Sequence, residues 1–285
     1  MAPMTAWLIR QAGLLHIPTV VICHNVMPHE RNWFDAVLAR WTLGKADHLF
    51  VHNLDDQVLA HRLLPHSHVE RVSLPSYQVF DLSTWTREKA HATLNIEGNV
   101  ALFFGIVRPY KGLGDLLNAL PFILSEIPLT LLIVGEFWES LEKYQRQIKE
   151  LGLESQVRVI DQYVSNAQAA MYFSAADLVV LPYRHATGSA VLQLAFSLGV
   201  PVVASRVGSM AEEVQDGENG FLVNSGNPEE LANAIVRFFR GQYAASFRSA
   251  IAQNRARFEW SVLIDKLSEP ITNQRSKLEI QSKCK

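Results

Sequence analysis

Cysteine is nearly absent from this 285-residue chain; Cys23 and Cys284 are the two present, and they lie far apart. Two thiols so separated make neither a disulfide framework nor a zinc-ligand spacing, and their scarcity points to a reducing cytoplasm. Long apolar runs are missing too: none reaches the roughly 18 residues needed to cross a bilayer. Residues 1–15 contain one arginine and are interrupted by Gln11 and Gly13, which is not the basic-then-apolar pattern of a signal peptide. Nor is there an excess of one charge. Lys+Arg number 26 and Asp+Glu 28, leaving a formal net charge of −2. That balance gives no general drive toward nucleic acid, and no nucleic-acid partner is expected, although a local basic site can still hold phosphate.

What is present is a globular composition, 48% hydrophobic and 19% charged, with length for one large or two ordinary domains. From residue 99 onward, short β-rich runs alternate with turns and helical stretches. The runs are Val100–Phe104, Leu129–Val134, Val157–Ile160, Leu178–Leu181, Val202–Ala204 and Phe221–Val223. Apart from Thr130 and Arg158 they are continuous rather than alternating, as strands buried on both faces should be. Between them, Trp138, Leu141, Tyr144, Ile148 and Leu151 recur three or four apart and predict a helix over Trp138–Leu151. Strand and helix alternate, so the fold class is α/β, with a doubly wound parallel sheet.

Residues 1–93 show a shorter version of the pattern. Thr19–Cys23, Leu49–His52 and Val69–Ser73 read as strands, and Met4–Leu15, Trp33–Leu43 and Asp55–Leu64 as helices. Three strands fall short of the usual five or six or so. The polar stretch Phe80–Asn99, with Gly98, marks the boundary, giving domains 1–93 and 94–285. After Arg240 the chain reads as mainly helical, anchored at Phe258–Trp260, with 268–285 a polar, mobile tail.

Three loops carry candidate chemistry. The first is Phe103–Gly112, a strand end followed by Gly105 and by Arg108 and Lys111 three residues apart, leading into a helix over Leu113–Leu124. Ligands of open α/β sheets bind beyond the carboxyl ends of strands; there Arg offers phosphate a fork and Lys a mobile point charge. The plain alternative is a solvated loop with two surface cations. The second is Leu181–Ala190, in which Gly188 permits close backbone approach and Thr187 or Ser189 can cap a helix over Val191–Leu198. The N–H groups at that helix start form an anion site. An ordinary capped helix is the alternative, and two anion-suited loops on one sheet edge strengthen each other. The third is Cys23–Glu30, where His24 can donate a hydrogen bond to a sugar hydroxyl and His29 with Glu30 can form an acid–base pair. Eight of the ten histidines fall within residues 16–68, but no HExxH-like spacing accompanies them, so no metal site is assigned.

The motifs FFGIVRPYKG, LLIVGE, AADLVVLPYR, LGVPVVASRVGSMAEEV and DGENGFLV, in this order across residues 100–226, resemble the C-terminal domain of family 4 retaining glycosyltransferases. ICHNVMPHE, with ADHLFVHN downstream, is similar to the acceptor-side domain of that family. The resemblance implies a GT-B fold of two Rossmann-like domains, the N-terminal one here lacking its first strand and glycine-rich loop. It implies transfer of a hexosyl group from a nucleotide diphosphate sugar to a glycan, lipid or small-molecule acceptor, with retained configuration. No cofactor or obligatory metal is implied. Through a lipid acceptor, peripheral membrane contact is open.

By the same resemblance the catalytic set is His24, Arg108 and Lys111. His24 would position the sugar, and the two cations would hold the diphosphate. Gly105, Arg108, Lys111, Thr187, Gly188, Ser189 and Gln193 would bind the donor, and domain closure would exclude water. The family's two glutamates fall at Ala186 and Leu194, neither acidic; Gln193, one position off, is the neutral substitute on offer. Missing carboxylates and a short first domain keep a second reading in play: a non-catalytic or truncated nucleotide-sugar-binding protein.

Overall fold

The computed structural model describes residues 2–27, 33–75 and 85–283. Pro28, His29, Glu30 and Cys284 lie outside the described residues, so the proposed His29–Glu30 pair has no structural account. The contacts divide the chain into two compact units, residues 1–75 with 257–285, and residues 76–256.

The larger unit holds a parallel six-stranded sheet. In chain order its strands are β4 (Val100–Phe104), β5 (Thr130–Val134), β6 (Val157–Ile160), β7 (Leu178–Leu181), β8 (Val202–Ser205) and β9 (Gly220–Val223). Their spatial order is β6-β5-β4-β7-β8-β9. Both faces are covered, as the apolar runs require. Side chains alternate across β4. Ala101 and Phe103 enter a core built with Leu113, Leu116, Leu117 and Leu120 of α5 (Leu113–Glu126) and with Ile235 and Phe238 of α10 (Pro228–Arg240). On the other face, Phe104 meets Phe173 of α7 (Asn166–Ala175) edge-on, ring centroids 4.9 Å apart.

The smaller unit has three parallel strands in the order β1 (Val20–Ile22), β2 (His48–Val51), β3 (His68–Arg71). Leu49, Val51 and Val69 pack on one side with Leu43 of α2 (Asp35–Leu43) and Ala60 of α3 (Leu54–Leu63). Phe50 points to the opposite side, where it meets Val72 and Leu263 of α12 (Trp260–Lys283).

Two features depart from the sequence reading. Contacts divide the chain at 75/76 and again at 256/257 rather than once at 93/94. Helix α4 (Arg87–Leu94) belongs to the larger unit, where it packs on α7 and His91 Nε2 bonds the Ala175 carbonyl at 2.9 Å. The chain end rejoins the smaller unit, because the Phe50–Val72 face needs an apolar cover and Leu263 supplies it. There Lys266 Nζ also donates to the Arg71 carbonyl, 3.4 Å. The expected polar tail is helical through Lys283. The second departure is Trp138, counted in a helical stripe. The helix α6 (Leu141–Glu150) starts at the Ser140 cap, whose Oγ accepts from the Lys143 N–H, and Trp138 stays outside it. Among the described residues no helix is long and apolar enough to cross a membrane.

Candidate functional site

β4 and β7 are neighbours, Leu102 opposite Val179, and the strand order reverses between them. Crossovers therefore leave these two strands toward opposite faces, and the loops at their carboxyl ends part around a crevice, where open α/β sheets take ligands. The two loops beyond these ends are 105–112 and 182–189.

In the first loop Gly105 turns the chain at φ +95°. Arg108 precedes a single 3-10 turn, Pro109–Lys111, which Gly112 ends at φ +71° while opening α5. A side chain at Gly112 would stand 1.9 Å from the Pro182 carbonyl oxygen, so glycine is what lets the loops touch. Lys111 is buried at 7% exposure, its Nζ beside Gly105 and 5.6 Å from the Tyr183 ring centre. Burial first, and the nearby Arg108 second, push its ammonium down to about 8. Among the described residues no carboxylate pairs with that ammonium. A buried cation without a counter-ion is unfavourable unless an anion arrives. Arg108 is half-buried and lies on the Trp138 ring, its guanidinium carbon 4.4 Å from the ring centre. That cation–π contact holds the fork beside the loop.

The second loop is braced against the first. Arg184 Nε and Nη2 each donate to Asp115 of α5 at 2.9 Å, and the Arg184 N–H donates to the Tyr110 carbonyl at 2.7 Å. Ser225 Oγ donates to the Arg184 carbonyl at 2.9 Å. The Ser209 N–H donates to the Thr187 carbonyl at 2.9 Å. Ser189 caps α8 (Ala190–Ser197), its Oγ accepting from the Leu192 N–H at 3.1 Å. It also shares a hydrogen bond with the Tyr183 hydroxyl, whose pKa burial pushes up. First-turn N–H groups of a helix have no intrahelical acceptor, so the Gly188–Ser189 segment meets the crevice with donors.

The structure thus brings together Gly105, Arg108, Lys111, Thr187, Gly188 and Ser189 in one unit. Gln193 is different: it is 1% exposed and its Nε2 donates to Glu213 Oε2 at 2.6 Å. Its amide is a buried partner for the carboxylate of α9 (Met210–Glu213) rather than a group turned to the loop. Ala186 is half-buried and Leu194 buried, so neither position brings a carboxylate. Asp115, Trp138 and Glu213 escaped the sequence reading. Asp115 reads as an ordinary acidic residue in a first helical turn, Trp138 as part of an apolar stripe, and Glu213 as surface charge.

His24 belongs to the smaller unit. It follows β1 and is exposed, while His52 follows β2 and is buried. His24 Nδ1 and His52 Nε2 are 3.1 Å apart, and His52 Nδ1 lies 2.9 Å from the Val72 carbonyl. Burial holds His52 below the ordinary imidazole range. Beneath them Asp56 is buried, its Oδ1 accepting from the Val26 N–H at 3.4 Å and its Oδ2 from Asn53 Nδ2 at 3.0 Å. Burial raises its carboxyl; burial, with Asp56 second, raises the Cys23 thiol to about 11. Among the described residues no three His, Cys, Asp or Glu side chains gather to hold a metal ion.

The chain is similar to known glycosyltransferases in sequence and in fold. The chain is 29% identical over 239 residues to a D-inositol 3-phosphate glycosyltransferase of Mycobacterium leprae, covering 79% of this chain and 54% of that protein. It is 32% identical over 192 residues to a phosphatidyl-myo-inositol mannosyltransferase of the same organism, covering 65% of this chain and 50% of that one. The chain spans about half the length of the curated relatives it matches. Among solved structures, Anabaena Alr3699/HepE in complex with UDP superposes with a TM-score of 0.79 at 22% identity, covering 96% of this chain and 77% of that one. The C-terminal domain of the Francisella tularensis group 1 glycosyl transferase LpcC gives a TM-score of 0.56 at 20% identity, covering 63% of this chain and 98% of that domain. The fold is accordingly α/β of the GT-B type. The family model for glycosyl transferases group 1 matches residues 98–240, half of the chain and the whole of both loops: the chain belongs to the group 1 glycosyl transferases.

Proposed function

We propose that this chain binds a nucleotide diphosphate sugar across the loops 105–112 and 182–189 and transfers its hexosyl group, with retained configuration, to an acceptor. The observation that carries the reading is Lys111, a buried ammonium with no carboxylate beside it among the described residues, at the reversal point of the sheet. Breaking the bond from anomeric carbon to diphosphate builds negative charge on the leaving phosphate. Lys111, Arg108 and the capped start of α8 stabilise that charge from preset positions. The leaving phosphate itself takes the acceptor proton, so no protein base is required. His24 is the proposed contact to the donor sugar.

Relatives named as inositol phosphate and phosphatidylinositol glycosyltransferases support a polyol or lipid-linked acceptor, and a lipid acceptor would bring the chain to a membrane surface. The UDP complex of Alr3699/HepE supports a nucleoside diphosphate donor, and the cytoplasm is where such donors are made. A second reading, donor binding without turnover, is favoured by one observation. Positions 186 and 194 carry no carboxylate, and Gln193 is bonded to Glu213.

Titration calorimetry with UDP and GDP tests the site. Arg108→Ala and Lys111→Ala should each weaken the nucleotide that binds by about 10- to 100-fold, the worth of a charge-assisted hydrogen bond of about 1.5–3 kcal/mol. Affinity unchanged in both variants refutes the assignment. Turnover of radiolabelled UDP-glucose or GDP-mannose separates transfer from binding alone.

A further inference from the structure

His24 and His52 stand at the carboxyl ends of adjacent parallel strands, and Val72 at the end of the third. The three are joined in a line: His24 Nδ1 to His52 Nε2, 3.1 Å, and His52 Nδ1 to the Val72 carbonyl oxygen, 2.9 Å. A carbonyl oxygen only accepts, so His52 Nδ1 carries the proton. The neutral ring then offers Nε2 as a lone pair, and the group facing it, His24 Nδ1, has to donate. We infer that His52 is a positioning residue: it fixes His24 in the Nδ1–H tautomer, so that His24 presents its Nε2 as a bare lone pair beyond the strand ends. The inference rests on the proposed reading of His24 as a donor-sugar contact and sharpens it. His24 accepts a hydrogen bond from a sugar hydroxyl rather than donating one.

The alternative arrangement, a doubly protonated His52 donating to both neighbours, places a cation on the buried ring. Burial first, and the neighbouring His24, oppose it; the bond to the Val72 carbonyl and Asp56 act in the opposite direction, and the balance still lowers the ring below the ordinary imidazole range. The surroundings are otherwise set against charge: Cys23 remains a thiol, and its Sγ–H is given to the Asn25 carbonyl at 3.1 Å. The two rings are tilted by 30° with centroids 5.0 Å apart, an edge contact compatible with a hydrogen bond in the ring plane rather than a stack. The backbone holds both ends of the line, since the Cys23 N–H donates to Phe50 and the Val72 N–H to Val51, each at 2.8 Å. The second ring nitrogen of a histidine commonly sets the tautomer of the first; here a second histidine does so.

The test uses the whole chain labelled with 15N at histidine, with long-range proton–nitrogen spectra recorded at about pH 8, above the ordinary histidine range. The expected spectrum shows His24 with a protonated Nδ1 and an unprotonated Nε2. His52→Leu, which removes the acceptor, should move His24 to the Nε2–H form. His52→Gln, whose amide oxygen can stand where Nε2 stood, should return it. With UDP-glucose and GDP-mannose as probes, His52→Leu should lower kcat by about tenfold, one hydrogen bond's worth, while leaving UDP and GDP affinity unchanged, and His52→Gln should recover most of the loss. An Nε2–H His24 in the parent chain overturns the inference without any variant having to fold. So does a tautomer that His52→Leu leaves in place, or a rate unmoved when the tautomer is lost although His24→Ala lowers it. If His24→Ala changes no rate while the parent spectrum is as expected, the failure lies in the reading of His24 as a sugar contact, and the positioning role in catalysis falls with it.

Discussion

Lys111 has a pH dependence that can be worked out from its surroundings. Its folded pKa, about 8, lies below the ordinary lysine value because burial disfavours the charge and Arg108 repels it. The unfolded chain therefore binds more protons than the folded one between about 8 and about 10.4. This group's contribution makes the fold more stable as pH rises through that window and least favourable below it, where the buried ammonium is charged in both states. A bound diphosphate reverses the preference by supplying the missing anion. Affinity for the nucleoside diphosphate should thus be level below about pH 8 and fall above it, by up to about tenfold per pH unit. Calorimetry at about pH 9 in buffers of differing ionisation enthalpy should register proton uptake on binding, and Lys111→Arg should remove both the uptake and the pH slope. Proton uptake that persists in Lys111→Arg would assign the effect to another group.

At the scale of elements, the two donor loops act as one piece. Gly112 lies under the Pro182 carbonyl, and Arg184 ties Tyr110 and Asp115 to the far loop. Gly112→Ala sets a methyl group against that carbonyl at φ +71°. It should cost about 2–4 kcal/mol of stability and abolish nucleotide binding, a combination that a surface loop would not show. Arg184→Ala is milder: its side chain is 57% exposed, so the pair contributes about 1 kcal/mol or less, and thermal melts should move by only a few degrees. All nine strands among the described residues were legible, those of the larger unit because runs rich in β-branched residues and leucine are what two-sided burial demands; Leu178–Leu181 and Val157–Ile160 coincide end for end. The placement of Arg108 and Lys111 in a loop beyond a strand end was legible as well. Arg108's support was not, because Trp138 falls at helical spacing from Leu141 and only the Ser140 cap excludes it. Gln193 misled for the opposite reason: it sits beside the family's acidic position in sequence, yet its helix turns it inward to Glu213, a partner 20 residues away that no local pattern announces.

For the whole molecule, sequence order and compactness disagree in one place. A composition shift near residue 93 is visible along the chain, but the return of α12 to the smaller unit depends on a long-range match of Leu263 with Phe50 and Val72, which periodicity cannot display. The larger unit contains both donor loops, all six of its strands and the core formed by α5, α6 and α10. Arg87 closes its amino-terminal side, Nε and Nη2 each 3.0 Å from Asp177, while Asp177 Oδ2 also accepts from the Val100 N–H at 2.9 Å. About 170 residues with apolar packing on both faces of one sheet fall within the range of domains that fold alone. A fragment spanning 85–256 should therefore be monomeric, melt in one cooperative step and bind the nucleotide within about threefold of the full chain. It should also transfer no sugar, because His24 is not in it. Size-exclusion chromatography, a thermal melt and calorimetry with UDP and GDP check this. A folded fragment that has lost nucleotide affinity would mean that the smaller unit supplies donor contacts beyond the sugar, and the assignment of diphosphate binding to Arg108, Lys111 and the start of α8 would have to be widened.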